Sequence, residues 1–328
     1  MRVLIIKLTS MGDLMHALPA ITDAVNAMPD IEFDWVVDES FEEVPNWHSA
    51  VKNTIVTAHR RWKKNLITAI KKDELRTFYQ SLNKNDYDVI VDLQGNLKSA
   101  FVSFLRHGDV HGYNRKTCRE WPAHWAYKHH YCVGRKQHSI ERQRHLFAKI
   151  FAYEKPNTAV NYGVDLQNLP LPDMMLPKKY LVFVHNASWP TKLWPVEYWQ
   201  SLINKVALQG YSVLLPCGSD REYERAQSIA KVNSAAIALS KMSLNAMAAI
   251  LCHAQAAVCS DTGLAHMAAV TKTPAITLYA VTDTLLIGTL GECQHHIVAD
   301  GGVDHAAMGD ISVDSVFEKL NTLLPKGN

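Results

Sequence analysis

The amino-acid sequence predicts an α/β protein built from two doubly wound domains. Three observations predict it. Short apolar runs alternate with amphipathic stretches of helical spacing, one proline-bearing segment interrupts that rhythm near the middle, and small polar turns follow several of the strand-like runs. A chain of 328 residues has room for two domains of ordinary size.

The first half opens on Arg2-Val3-Leu4-Ile5-Ile6-Lys7-Leu8, a continuous apolar run of the kind a strand buried on both faces needs. Thr9 to Asp13 form a polar turn. Residues 14–28 then carry apolar side chains at helical spacing, stopped by Pro29-Asp30. Residues 33–37 and 88–93 read as further strands. Between residues 157 and 179 the periodicity fades and prolines stand at 170, 172 and 177, which marks a linker. The rhythm restarts with strands at 180–185, 211–216, 256–260 and 275–279 and helices at 196–208, 220–232, 244–253 and 262–270. Domains are therefore expected at 1–170 and 171–328, with a last amphipathic helix near 313–325 packing back on the first. Ligands of such sheets bind beyond the carboxyl ends of the strands. Two domains facing across a cleft would carry their chemistry in those turns.

Composition excludes several classes. The chain is 48% hydrophobic and 20% charged, as globular proteins are. No run reaches the roughly 18–20 apolar residues of a spanning helix. Met1 to Leu8 is too short for the apolar core of a signal peptide, so a cytoplasmic location is expected. Six scattered cysteines include no C-x-x-C pair, which favours buried thiols over disulfides or zinc. Net charge is only +2, yet residues 51–150 hold 20 Lys+Arg against 8 Asp+Glu, while residues 171–328 hold 11 against 13. The basic half points to an anionic partner.

Four places carry chemistry. In Thr9-Ser10-Met11-Gly12-Asp13, Gly12 permits close backbone approach, and Asp13 fits either a helix cap or a general base. In Ser260-Asp261-Thr262-Gly263-Leu264-Ala265-His266, a strand runs straight into a helix whose first N–H groups and dipole suit a diphosphate; His266 fits either that site or the core. Neither G-x-G-x-x-G nor a Walker A sequence occurs. The third place runs from His185 to Pro195. Ser188 offers a hydroxyl there, and Lys192 a cation for a leaving diphosphate or a plain surface charge. Glu222, opening a helix, suits a ribose or the helix dipole. Asp86-Tyr87-Asp88 is the one D-x-D and runs into a strand, so no metal site is expected. The fourth place is His59-Arg60-Arg61-Trp62-Lys63-Lys64 with Leu66, Ile67 and Ile70 behind it. It suits phosphates and an acidic bilayer surface, and no nucleic-acid-binding motif accompanies it. Arg115, Lys116 and Arg119 add a second basic cluster.

Taken together, S-M-G-D near the start, H-R-R-W-K-K, Arg119-Glu120, K-x-W-P at Lys192 and D-T-G-L-A-H at Asp261 resemble the lipopolysaccharide heptosyltransferases of glycosyltransferase family 9. The run S-M-G-D-x-x-H-x-L-P is similar to type I rather than type II members. The resemblance spans essentially the whole chain. It implies a GT-B fold of two Rossmann-like domains and inverting, metal-independent transfer of L-glycero-D-manno-heptose from its ADP-activated form to the first Kdo of Kdo2–lipid A. No cofactor is implied. Asp13 would be the base, and Lys192 with the Thr262-Gly263 turn would hold the diphosphate. Ser188, Glu222, Met242, Asp261 and His266 would complete the donor site. Ser10, Gly12, Arg60, Arg61, Lys63, Lys64 and Arg119 would meet the acceptor, with the enzyme peripheral on the cytoplasmic face of the inner membrane. One departure stands out: where members often carry Thr-Thr after the histidine, this chain has Ala187-Ser188, and only Ser188 keeps a hydroxyl. The implied alternatives are a later-acting transferase of the same family and a sugar-nucleotide epimerase of similar fold.

Overall fold

A computed structural model describes residues 1–166, 168–301 and 306–325. The chain divides into two compact units, Met1–Val164 and Asp165–Asn328. The division falls inside the proline-bearing segment, just ahead of Pro170.

In the first unit β1 (Arg2–Ile6), β2 (Glu32–Asp38), β3 (Val51–Thr57), β4 (Val89–Asp92), β5 (Val110–Tyr113) and β6 (His129–Tyr131) form one parallel sheet, ordered β3-β2-β1-β4-β5-β6. Val3 to Ile6 are wholly buried, as a central strand covered on both faces requires. The connecting helices are α1 (Met11–Met15), α2 (Leu18–Ala27), α3 (His59–Lys64), α4 (Leu66–Lys71), α5 (Glu74–Leu82), α6 (Leu97–Leu105) and α7 (Ser139–Phe151). The single helix expected over 14–28 is two helices, because Pro19 starts a new one at α2, where its missing N–H costs nothing. The basic run is likewise helical and broken once. Asn65 ends α3, and its side chain accepts from Thr68 N–H at 3.3 Å to cap α4.

The second unit repeats the plan. Its strands are β7 (Tyr180–Val184), β8 (Ser212–Leu215), β9 (Ala236–Ala238), β10 (Ala256–Ser260), β11 (Ala275–Tyr279) and β12 (Gln294–Val298). All are parallel, ordered β12-β11-β10-β7-β8-β9. Helices α8 (Val196–Ala207), α9 (Asp220–Ala230), α10 (Leu244–His253), α11 (Gly263–Val270), α12 (Thr284–Ile287) and α13 (Val313–Leu323) complete it. Trp194 anchors the core, its ring edge-on to Trp199 at 4.9 Å and its indole N–H donating to Ile311 O at 2.9 Å. Helix α13 buries Val316 and Leu320 in that same core. These two side chains tie the last helix to its own unit.

Each sheet reverses its strand order once, between β1 and β4 and between β7 and β10. Such a reversal leaves a crevice at the carboxyl ends of the two strands. It fixes where each unit can hold a ligand.

A buried ion network braces the first unit. Arg144, 2% exposed, donates to Asp23 at 2.6 Å and to Glu141 at 2.7 Å, and reaches Pro156 O and Thr158 O. Replacing Arg144→Met would strand the Asp23 carboxylate. The first unit should lose about 3–5 kcal/mol, read as a lower urea midpoint for its unfolding; an unchanged midpoint would contradict the role.

Candidate active site

The turn after β1 is built from the turn after β4. Asp92, wholly buried, accepts from Gln94 N–H at 2.8 Å, Gly95 N–H at 2.9 Å and the Tyr127 hydroxyl at 2.8 Å. Gly95 sits at φ +67°, a backbone conformation that strains any L side chain, and a Cβ there would also crowd Cys118 Sγ at 3.2 Å. The Gln94 side-chain oxygen in turn accepts from Leu8 N–H at 2.7 Å and Thr9 N–H at 3.1 Å, holding the two turns together across the strand reversal. Gly95 O also receives Glu120 N–H at 3.0 Å and Cys118 Sγ at 3.1 Å. That fixes the segment carrying Arg119.

Asp13 stands half-buried on α1, its carboxylate accepting from Ser10 N–H at 3.1 Å and Ser10 Oγ at 2.9 Å. Burial pushes its pKa up, but the Lys7 charge, the two Ser10 hydrogen bonds and the Arg119 charge outweigh it and leave the pKa below the ordinary value. Lys7 is 5% exposed and donates to Leu93 O at 3.4 Å. Burial lowers its pKa, opposed by Asp13 and Asp92 and assisted by Arg142 and Arg119. Burial raises the pKa of Asp92. Lys7, Asp92 and Gln94 went unassigned in the sequence. Their signal was a charged or polar residue ending an apolar strand, a place where burial is costly unless used.

At the reversal of the second sheet, Lys192 closes a short 3-10 turn, Pro190–Lys192, and its ammonium meets Asp261 Oδ2 at 2.5 Å. Thr282 Oγ1 donates to the same oxygen at 2.5 Å, a contact the sequence did not suggest. Thr262 is the N-cap of α11 and makes no side-chain cap, so the first N–H groups of that helix are not occupied by its hydroxyl. His266, 8% exposed, follows on the same helix, and Ser188 is exposed beyond β7. His185 is fully buried, and burial, with Arg225, pushes its pKa down to about 3. Asp261, Lys192 and the start of α11 are therefore brought together. Glu222 and Met242 lie after β8 and β9. The Glu222 carboxylate accepts from Gly218 N–H at 2.6 Å, in the first turn of α9.

The basic run divides in the same way. Arg60, Lys63 and Lys64 are exposed. Arg61 is engaged by Glu39 at 2.9 Å and Glu74 at 2.7 Å, and those two carboxylates raise its pKa further. Trp62 donates to Glu74 at 2.7 Å, and a cavity of about 360 Å³ opens beside Arg61, Trp62 and Phe78. In the D-x-D, Asp88 accepts from Arg2 N–H at 2.7 Å and Tyr87 donates to Asp34 at 2.7 Å, both structural. Among the described residues no group of three or more His, Cys, Asp or Glu is gathered as a metal would need.

Residues 75–307 match the model of glycosyltransferase family 9 (heptosyltransferase). The chain belongs to this family. Lipopolysaccharide heptosyltransferase 1 of Pseudomonas aeruginosa is 43% identical over 301 residues, covering 92% of this chain and 84% of that one. The solved structure of E. coli heptosyltransferase WaaC with ADP is 39% identical with a TM-score of 0.91, covering 98% of this chain and 100% of that one. The same E. coli enzyme with ADP-2-deoxy-2-fluoro heptose is 38% identical with a TM-score of 0.87, over 98% and 99%. This family-9 chain thus has the GT-B fold, and it is a glycosyltransferase.

The ionisation of Asp13 is testable directly. Lys7→Met removes the nearest opposing charge, so the Asp13 carboxyl should titrate at higher pH than in the unmodified protein, followed by carboxyl-carbon NMR. An unmoved titration would show that Lys7 does not hold Asp13 ionised.

Proposed function

We propose that this glycosyltransferase moves L-glycero-D-manno-heptose from ADP-heptose to the first Kdo of Kdo2–lipid A, inverting the anomeric centre. The observation that carries the reading is an ionised Asp13 at one strand reversal and a Lys192–α11 anion site at the other. A solved E. coli relative with an ADP-heptose analogue supports the donor.

Asp13 accepts the proton of the Kdo hydroxyl as that oxygen forms its bond to the anomeric carbon. The bond from that carbon to the diphosphate breaks on the opposite face, and ADP leaves with the electron pair. Lys192 turns from Asp261 toward the departing diphosphate, and the N–H groups at Thr262-Gly263 share its charge. Ser188, Glu222, Met242 and His266 surround the nucleotide sugar. A lysine and a helix end supply the charge that a metal ion would otherwise supply, so transfer is metal-independent.

On the acceptor side, Ser10 and Gly12 line the base. Arg60, Lys63, Lys64 and Arg119 take phosphates and carboxylates. Arg61, tied to Glu39 and Glu74, holds α3 in place for its neighbours. The enzyme works at the cytoplasmic face of the inner membrane, where its acceptor resides. Among the described residues no helix is long and apolar enough to cross a bilayer, and the basic first unit suits an anionic lipid surface.

Release of ADP should require both ADP-L-glycero-D-manno-heptose and Kdo2–lipid A and should survive EDTA. Release only with an already heptosylated core would move the enzyme to a later step. Lys192→Ala should lower kcat by about 10²–10³-fold, the usual loss for one group stabilising developing charge; a near-normal kcat would remove Lys192 from the leaving-group site.

A further inference from the structure

Helix α6 has an unpartnered apolar face. Ser99, Ala100, Val102 and Ser103 are its buried residues, while Leu97, Phe101 and Phe104 are 55%, 64% and 66% exposed. Positions i, i+4 and i+7 lie along one stripe of a helix. A 3-10 segment, Trp121–Ala126, packs beside α6 and adds two more exposed rings, Trp121 at 50% and Trp125 at 65%, set edge-on at 5.1 Å. The two elements are joined through Glu120, whose carboxylate accepts Leu97 N–H at 2.8 Å and whose own N–H donates to Gly95 O.

The rim of this face is basic. Lys98, Arg115, Lys116 and Arg119 are exposed, and Arg115 lies over the Trp121 ring at 5.2 Å. Across residues 97–105 and 114–126 those four cations face one carboxylate, Glu120, which is occupied by the start of α6. Five large apolar side chains in solvent are costly for a protein free in water, and contiguous exposed apolar patches mark interaction sites. Tryptophan and phenylalanine inside a ring of Lys and Arg match the boundary of an anionic bilayer, where rings sit among the acyl ends and cations meet the headgroups.

We propose that α6 and the Trp121–Ala126 segment seat the enzyme on an anionic lipid bilayer, inserting Phe101, Phe104 and Trp125 at the headgroup boundary. This rests on the membrane-bound acceptor of the proposed function and names the surface that meets it. The placement has a consequence for catalysis. Arg119 is two residues from Trp121 and acts electrostatically on Asp13. A lipid-borne sugar entering at the seated face therefore meets Arg119 without leaving the bilayer.

The test uses the full chain, sedimented with vesicles of phosphatidylethanolamine and phosphatidylglycerol in equal parts, and with phosphatidylcholine alone. The protein should bind the anionic vesicles, and F101S/F104S/W125S should weaken that binding about tenfold or more. I67S/I70S, which removes the other exposed apolar stripe on α4, should weaken it less. Turnover of a soluble, deacylated Kdo acceptor should be the same in the triple variant, which also verifies that it folds. Wild-type protein that ignores anionic vesicles, or a triple variant that binds them normally, would overturn the proposal. So would a dimer in solution that the triple variant abolishes, since the face would then belong to a second copy. Failure of the unmodified protein to heptosylate either acceptor would instead refute the proposed reaction, and the vesicle result would stand by itself.

Discussion

Burying the Lys7 ammonium at the end of β1 obliges the surrounding chain to supply negative charge and hydrogen bonds. Asp13 and Asp92 supply the charge, and the benefit is mutual, because the same ammonium keeps Asp13 ionised despite its burial. Asp92 spends its lone pairs on Gln94, Gly95 and Tyr127, and those contacts shape the loop that clasps Leu8 and Thr9 from the side. Remove the lysine and Asp13 loses the foremost charge that opposes its burial. Remove Asp92 and the turn bearing Asp13 loses its support. The polar centre of the first unit is therefore one coupled arrangement, in which single deletions should cost more than any one contact suggests.

The two units use one topology for opposite electrostatic tasks. In the proposed reaction the carboxylate at the first reversal, whose pKa lies below the ordinary value, takes a proton, and the cations around it receive an anionic acceptor. At the second, in the same reaction, a lysine paired with Asp261 and a helix N-terminus receive the anionic leaving group. The charge asymmetry along the sequence follows from this division. On the proposed function, cations accumulate where a polyanionic lipid would be gripped, and few would be needed where a diphosphate rests on backbone N–H groups.

Much of the second unit was legible because its central strands are unbroken apolar runs and its helices have clear caps, as at Ser219 and Ser243. The edge strands β6, β9 and β12 were not. They are short or half-exposed, so no apolar run announces them. The first unit was harder still. Helices α3 and α4 have only six residues each and depend on the Asn65 cap and on the Arg61–Glu39–Glu74 contacts, which join residues far apart in the chain. Among the candidate site residues, Asp13 and Asp261 stand out because each follows a strand in a turn of small polar residues, and Lys192 because it is a cation in the segment after β7. Lys7, Asp92 and Thr282 were hidden: their importance lies in partners that only the fold brings near. Glu222 fitted two roles by type, and its contact with Gly218 N–H fixes its carboxylate at the start of α9.

The most direct measurement is turnover of Asp13→Asn beside its affinity for ADP. The asparagine keeps the size of the side chain and loses the ability to take a proton. If Asp13 is the base, kcat should fall by about 10²–10⁴-fold while ADP binds within a few-fold of the unmodified enzyme, since the nucleotide belongs to the second unit. Turnover that survives the substitution would contradict the assignment of the base and, with it, the account of why Lys7 is buried beneath it.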